Sequence, residues 1–179
     1  MLKVTIPSIE LYDERINEFF TTKEQTIQIE HSLVSLSKWE SKWRKPFLTK
    51  DEKTHEESID YIRCMTITQN VDDNVYKLIG QGIIEEVSRY IEAPMTATVF
   101  NTENKNGNRE IITAEIIYYW MIALSIPFEC QKWHLNRLLA LIKVCDIKNT
   151  PTKKMSKRDI MERNRSLNLA RREALNTKG

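Results

Sequence analysis

Along the first thirty residues apolar and polar side chains alternate. Leu2, Val4 and Ile6 form one row and Ile27 and Ile29 another, with the two-residue period of strands that bury one face. The stretches "LKVTIPSIELY" and "EQTIQIEHS" flank "DERINEFFTTK", which is polar at both ends, so a β-hairpin with a long loop is expected over residues 1–31. Pro7 has no N–H to donate and belongs at an edge or a strand end.

The period then changes to that of helices. In "SLVSLSKWESKWRKPFL", Leu33, Leu36, Trp39 and Trp43 share one side, Ser37, Lys38, Ser41 and Lys42 lie largely opposite, and Pro46 stops the helix near Lys45. "TKDEKTHEESIDYIRCMTI" predicts a second helix, whose acidic first turn suits the positive end of a helix dipole and whose Ile59, Ile62 and Met65 recur at helical spacing. "GIIEEVSRYIEAP" predicts a third, carrying Ile83, Ile84, Val87, Tyr90 and Ile91 and closed by Pro94. "MTATVF" reads as a short strand and "NTENKNGNRE" as a surface loop.

From Ile111 to Leu124 the chain is apolar nearly all the way round, which predicts a central buried helix. Pro127 interrupts it. Leu135, Leu138, Leu139, Ile142 and Cys145 then repeat as an amphipathic helix that packs on the previous one as an αα-hairpin. Ser156 with Asp159 three residues on is a capping box for a last helix ending near Ala174. Its apolar content is thin (Ile160, Leu167, Leu169, Ala170, Ala174), so this helix projects or lies on a partner. The expected architecture is mainly α. A compact helical domain with the N-terminal hairpin (1–31) fills residues 1–150, and a projecting basic helical tail fills residues 151–179.

Composition narrows the function. A chain of 179 residues, 41% hydrophobic and 29% charged, has the balance of a water-soluble domain with a core and an appendage. No apolar run reaches the roughly 20 residues that span a bilayer; the nearest, Ile116 to Phe128, is broken by Pro127. The first residues lack the pattern of a secretory signal, so residence in a cytoplasm is expected. Cys64, Cys130 and Cys145 are odd in number, well spread and set among apolar residues, which suits reduced core thiols. Gly80, Gly82, Gly107 and Gly179 cannot build a phosphate-cradling loop. Charge is uneven: residues 151–179 hold nine Lys/Arg against three acids, so the net +2 leaves the first 150 residues at −4.

The candidate chemistry is sparse. Cys130 and His134 are four apart and would share one face of a helix, but a structural zinc site needs four ligands and only His31 and His55 remain as imidazoles. Catalysis by that pair would also need an oxyanion loop, and none is suggested. No metal, cofactor or enzymatic activity is therefore expected. Trp133 and Arg137, also four apart, let the guanidinium stack on the indole, either as a brace or as an interface anchor. Trp39 and Trp43 in "KWESKWRKPF" alternate with cations that nucleic acid could use, although a helix with tryptophan on its buried face and lysine on its wet face gives the same string. The tail offers Lys153, Lys154, Lys157, Arg158, Arg163, Arg165, Arg171 and Arg172 to an acidic partner protein or to phosphates.

Three segments, "IEHSLVSLSKWESKWRKPFL", "YYWMIALSIPFECQKWHLNRLLALIKV" and "RNRSLNLARREALNTKG", together resemble a family of small tail-module proteins of tailed bacteriophages, over most of the chain. The resemblance implies a non-enzymatic protein of phage tail morphogenesis. Its role would be a tail assembly chaperone that binds the tape-measure protein before tube polymerisation, or else a minor virion component. Such a protein acts in the host cytoplasm during assembly or stays in the virion, meets other tail proteins and needs no membrane. The resemblance brings no catalytic residue. Trp39, Trp43, Trp133, Arg137 and the tail cations stand as its candidate partner-binding residues, with self-association, or nucleic acid at the basic tail, as further possibilities.

Overall fold

The computed structural model describes residues 1–8, 10–13, 17–21, 23–100, 111–150 and 156–176. The chain is mainly helical and divides into two units, 1–146 and 147–179. The N-terminal strands are β1 (Leu2–Ile6), β2 (Glu10–Asp13), β3 (Glu18–Thr21) and β4 (Gln25–Ile29). β1 and β4 pair antiparallel with Leu2 opposite Ile29 and Val4 opposite Ile27, so the two apolar rows face the core together. Val4, Ile6, Ile27 and Ile29 are buried. Pro7 directly follows β1, as a residue without a donor should. The segment expected as a loop is itself partly paired, since β2 and β3 set Tyr12 opposite Phe19 and Leu11 opposite Phe20. These β-prone residues extend the hairpin beyond its first pair of strands.

Six helices of the first unit follow: α1 (Leu33–Trp43), α2 (His55–Met65), α3 (Asp73–Lys77), α4 (Gln81–Glu92), α5 (Ala114–Ala123) and α6 (Leu135–Asn149), the last running past the unit boundary. A 3₁₀ helix, Phe128–Lys132, precedes α6. Local signals start and stop them. Ser32 and Ser35 form a reciprocal capping box at α1, and Thr54 and Glu57 another at α2. α1 ends at Arg44, which takes the left-handed conformation at φ 53°, two residues before Pro46. The core gathers the hairpin rows with Leu33, Leu36 and Trp39 of α1 and Tyr61, Ile62 and Met65 of α2. The outer edge of β4 is covered: Glu30 N–H donates to Met65 O (2.9 Å) and Ile67 N–H to Gln28 O (2.8 Å).

α5 starts on Thr113, whose side chain makes no cap bond. The cap comes from α1 instead. The buried Glu40 carboxylate accepts the Ala114 N–H at 2.7 Å with one oxygen and the Phe47 N–H at 2.8 Å with the other. A negative group at the positive end of the α5 dipole thus fixes α5 and the 44–47 turn on α1 at once.

Several expectations are corrected. "MTATVF" forms no strand: residues 94–100 are irregular and Met95 sits at φ 49°, a conformation that β-prone composition does not reveal. "NTENKNGNRE" lies outside the described residues. α3, capped by Asp72, was not foreseen, because five residues are too few to show a period. The helix from Ile111 is shorter than expected and is not buried all round. Ala114, Ile117 and Met121 face the core while Tyr119 and Ile122 face out. Nor does it form a close αα-hairpin with α6, since a groove opens between the two helices.

The second unit holds the end of α6 and α7 (Lys157–Leu175), whose N-cap Ser156 accepts the Asp159 N–H at 3.2 Å, the sequence-predicted start. Lone helices have no second face of their own to bury a stripe against, and no α7 side chain is buried.

Glu40→Ala should strand two buried backbone donors and lower unfolding stability by about 2–4 kcal/mol, measured by urea titration. A loss under about 0.5 kcal/mol would show that α5 does not depend on this cap.

Candidate functional site

The question left by Cys130 and His134 is settled by local geometry. Cys130 is buried in the 3₁₀ helix, Trp133 behind it is extended, and His134 precedes α6, so the two do not share a helical face. His134 belongs to a different cluster. Its Nε2–H donates to Tyr90 O at 3.1 Å, which leaves Nδ1 to accept the Asn136 N–H at 3.3 Å. Its ring stands edge-on to His31, 5.2 Å between centroids, and His31 Nδ1 meets the Tyr61 hydroxyl at 2.6 Å. Asn136 completes the junction by donating to Ile91 O and Ala93 O, both at 2.8 Å. The Tyr90 hydroxyl donates to Glu30 Oε1 at 2.6 Å, and the Met1 amine meets Glu30 Oε2 at 2.9 Å.

Both imidazoles are held neutral. Burial, and then the neighbouring His134, pushes His31 down to about 3. Burial also lowers His134, opposed by its bond to the Tyr90 carbonyl and by Glu30. Among the described residues no buried side-chain N or O lacks a partner, and no group of three or more His, Cys, Asp or Glu is placed to hold a metal. The cluster is a satisfied brace.

The tryptophans of α1 divide. Trp39 is core and not a partner-facing residue: it is 1% exposed, its Nε1–H donates to Glu57 O at 3.0 Å, and its ring meets Phe47 edge-on at 5.0 Å. Trp43 is half-buried, stacked on Trp39 at 6.1 Å, with Nε1–H donating to Asp60 Oδ2 at 2.8 Å. Lys42 pairs with Asp60 and Lys45 with Glu57, so two cations of "KWESKWRK" are held by carboxylates of α2. The Lys45 bond, followed by the Thr54 backbone bond, holds the Glu57 carboxyl below the usual range. This helix is therefore ill suited to phosphates. Trp133 and Arg137 do stack, with the guanidinium 4.4 Å from the indole centroid; Trp133 is 36% exposed and Arg137 is exposed.

The outer side of α5 leaves two large apolar side chains uncovered. Tyr119 is 66% exposed and Ile122 63%, three positions apart on the helix. Beside them a groove of about 470 Å³ runs between α5 and α6, lined by Trp120, Ala123 and Leu124 from one helix and by Leu139, Ile142, Lys143 and Asp146 from the other. The Lys143 amine sits 4.2 Å over the Phe100 ring at its margin. The lining is apolar with one charge of each sign, a surface suited to receiving side chains rather than activating a reaction. Sequence reasoning assigned these residues to the core; the usable signal was that α5 is apolar on more sides than one small domain can cover. Of the tail cations, Lys157, Arg158, Arg163, Arg165, Arg171 and Arg172 lie exposed on α7, while Lys153 and Lys154 are outside the described residues.

Comparison of the chain with protein-family models, with curated proteins and with solved structures finds no match. No described helix is long and apolar enough to cross a membrane.

The histidine brace has a pH signature. The unfolded chain takes up a proton at His31 near 6.5 but the folded chain only near 3, so the unfolded state binds more protons between these values. Stability is whole above 6.5 and falls as pH drops below it, by up to about 1.4 kcal/mol per pH unit for each such histidine. Urea midpoints taken from pH 6.5 to 5, above the carboxylate range, should fall steadily, and His31→Gln should flatten that slope. Equal slopes in both proteins would remove His31 as the cause.

Proposed function

We propose that this chain is a non-enzymatic assembly factor of a bacteriophage tail, a chaperone that covers an apolar helical face of the tape-measure protein until the tube polymerises. The observation that carries the reading is the exposed outer side of α5 with its adjoining groove. The resemblance of the tryptophan-rich segments and the C-terminal segment to small phage tail proteins supplies the partner. Apolar side chains at helical spacing on α5, facing leucine and isoleucine of α6, suit an amphipathic helix laid along the groove.

Magnitudes favour a releasable contact. Burying the still-exposed parts of Tyr119, Trp120, Ile122, Leu124 and Leu139 contributes about 1 kcal/mol each, of the same order as the roughly 4–15 kcal/mol that association costs. Such a surface alone holds a partner weakly. Weak holding suits a chaperone that must let go better than a permanent subunit.

Co-expression with a tape-measure protein should give a complex that co-purifies at low salt. Tyr119→Asp with Ile122→Asp, both at exposed positions, should cut recovery at least tenfold without lowering the melting temperature. Absence of any complex, or a complex indifferent to both substitutions, would sink the chaperone reading.

A further inference from the structure

The cations of α7 are not scattered. At 100° per residue Lys157, Arg158, Arg165, Arg171 and Arg172 fall on one arc of about 140°, with Arg158, Arg165 and Arg172 spaced seven apart. Asn164 and Asn168 lie between them, and the acids Asp159, Glu162 and Glu173 all lie outside the arc. None of these five cations is ion-paired among the described residues, unlike Lys42 of α1 and Lys45 just beyond it, which buried carboxylates neutralise. Opposite charges four residues apart do occur, as Arg158/Glu162 and Asp159/Arg163, but the acids stand at the margin of the arc or beyond it, and within it every charge is positive.

We propose that this arc is a nucleic-acid-binding surface that grips a run of phosphates, an activity beyond the chaperone role and independent of it. Two observations favour phosphates over an acidic protein. Four of the five cations are arginines, whose planar fork matches phosphate oxygens two at a time. A protein partner would also need apolar anchors, yet Ile160, Leu167 and Ala174, the only apolar seam of α7, lie off the arc. On the arc itself only Met161 and Leu175 are apolar, and they are among the most exposed residues at 73% and 72%. The helix is already formed and capped at Ser156 and Asn176, so binding does not have to order it. At 19 residues it is about 28 Å long, enough to follow several phosphates.

The test is fluorescence anisotropy of the full chain with a short labelled duplex DNA. Five phosphate contacts predict a slope of about −4 to −5 in log K against log salt, hence a loss of roughly 250- to 1,000-fold between about 50 and 200 mM. Arg158→Gln/Arg165→Gln/Arg172→Gln should lower that slope by about three. No α7 side chain is buried, so the variant keeps its fold, checked by circular dichroism. Arg163→Gln, off the arc, should leave the slope nearly unchanged. The proposal is overturned by no binding at low salt, by an Arg163→Gln effect equal to that of an arc substitution, or by polyglutamate competing as well as DNA. None of these outcomes bears on the groove of α5, so the chaperone reading stands or falls separately.

Discussion

Three consecutive residues, Glu30, His31 and Ser32, hold the first unit together. They are the junction between the last strand and the first helix, and each reaches a different part of the fold. Glu30 binds the Tyr90 hydroxyl of α4 and, through its N–H, the end of α2. His31 meets Tyr61 of α2 with its ring and, through its carbonyl, accepts the Leu135 N–H at 2.7 Å. Ser32 caps α1 and bridges to His134. Such a junction works only with every polar atom satisfied, because a buried donor or acceptor without a partner costs about as much as the bond itself contributes.

The same logic separates what the fold uses internally from what it leaves for others. Glu40, Glu57 and Asp60 are buried acids, and each is consumed by backbone amides, indole N–H groups or lysines. These groups tie α1 to α2 and to α5, and every one of their oxygens already accepts a bond within the fold. The outer side of α5 and the basic arc of α7 have no such partners among the described residues. One apolar and one cationic surface are thus left open to partners.

Much of this architecture is legible from periodicity. The paired rows Leu2, Val4, Ile6 and Ile27, Ile29 announce a hairpin with one buried face, and the cap at Ser156 announces the start of α7, because these are local signals. What escaped depends on distant partners. Glu40 looks like one more polar residue of α1 until Ala114, 74 positions away, needs a cap. His31 and His134 are 103 positions apart in sequence and edge-on in space. The groove escaped for a related reason: an apolar residue reads as core whether or not the domain has anything to lay over it, so Ile122 and Ile117 look alike in the sequence and face opposite ways in the fold.

The cap that α1 lends to α5 has a kinetic consequence. Because Glu40 anchors the first turn of α5 from within the core, the helix cannot swing outward without stripping a buried carboxylate oxygen and the Ala114 N–H of their partner together. The apolar face it presents is rigid before any encounter. In the proposed chaperone, a segment docking there would do the ordering itself, so the speed of capture would be set by how readily the incoming chain coils into a helix, and this surface would act as a template rather than a clasp.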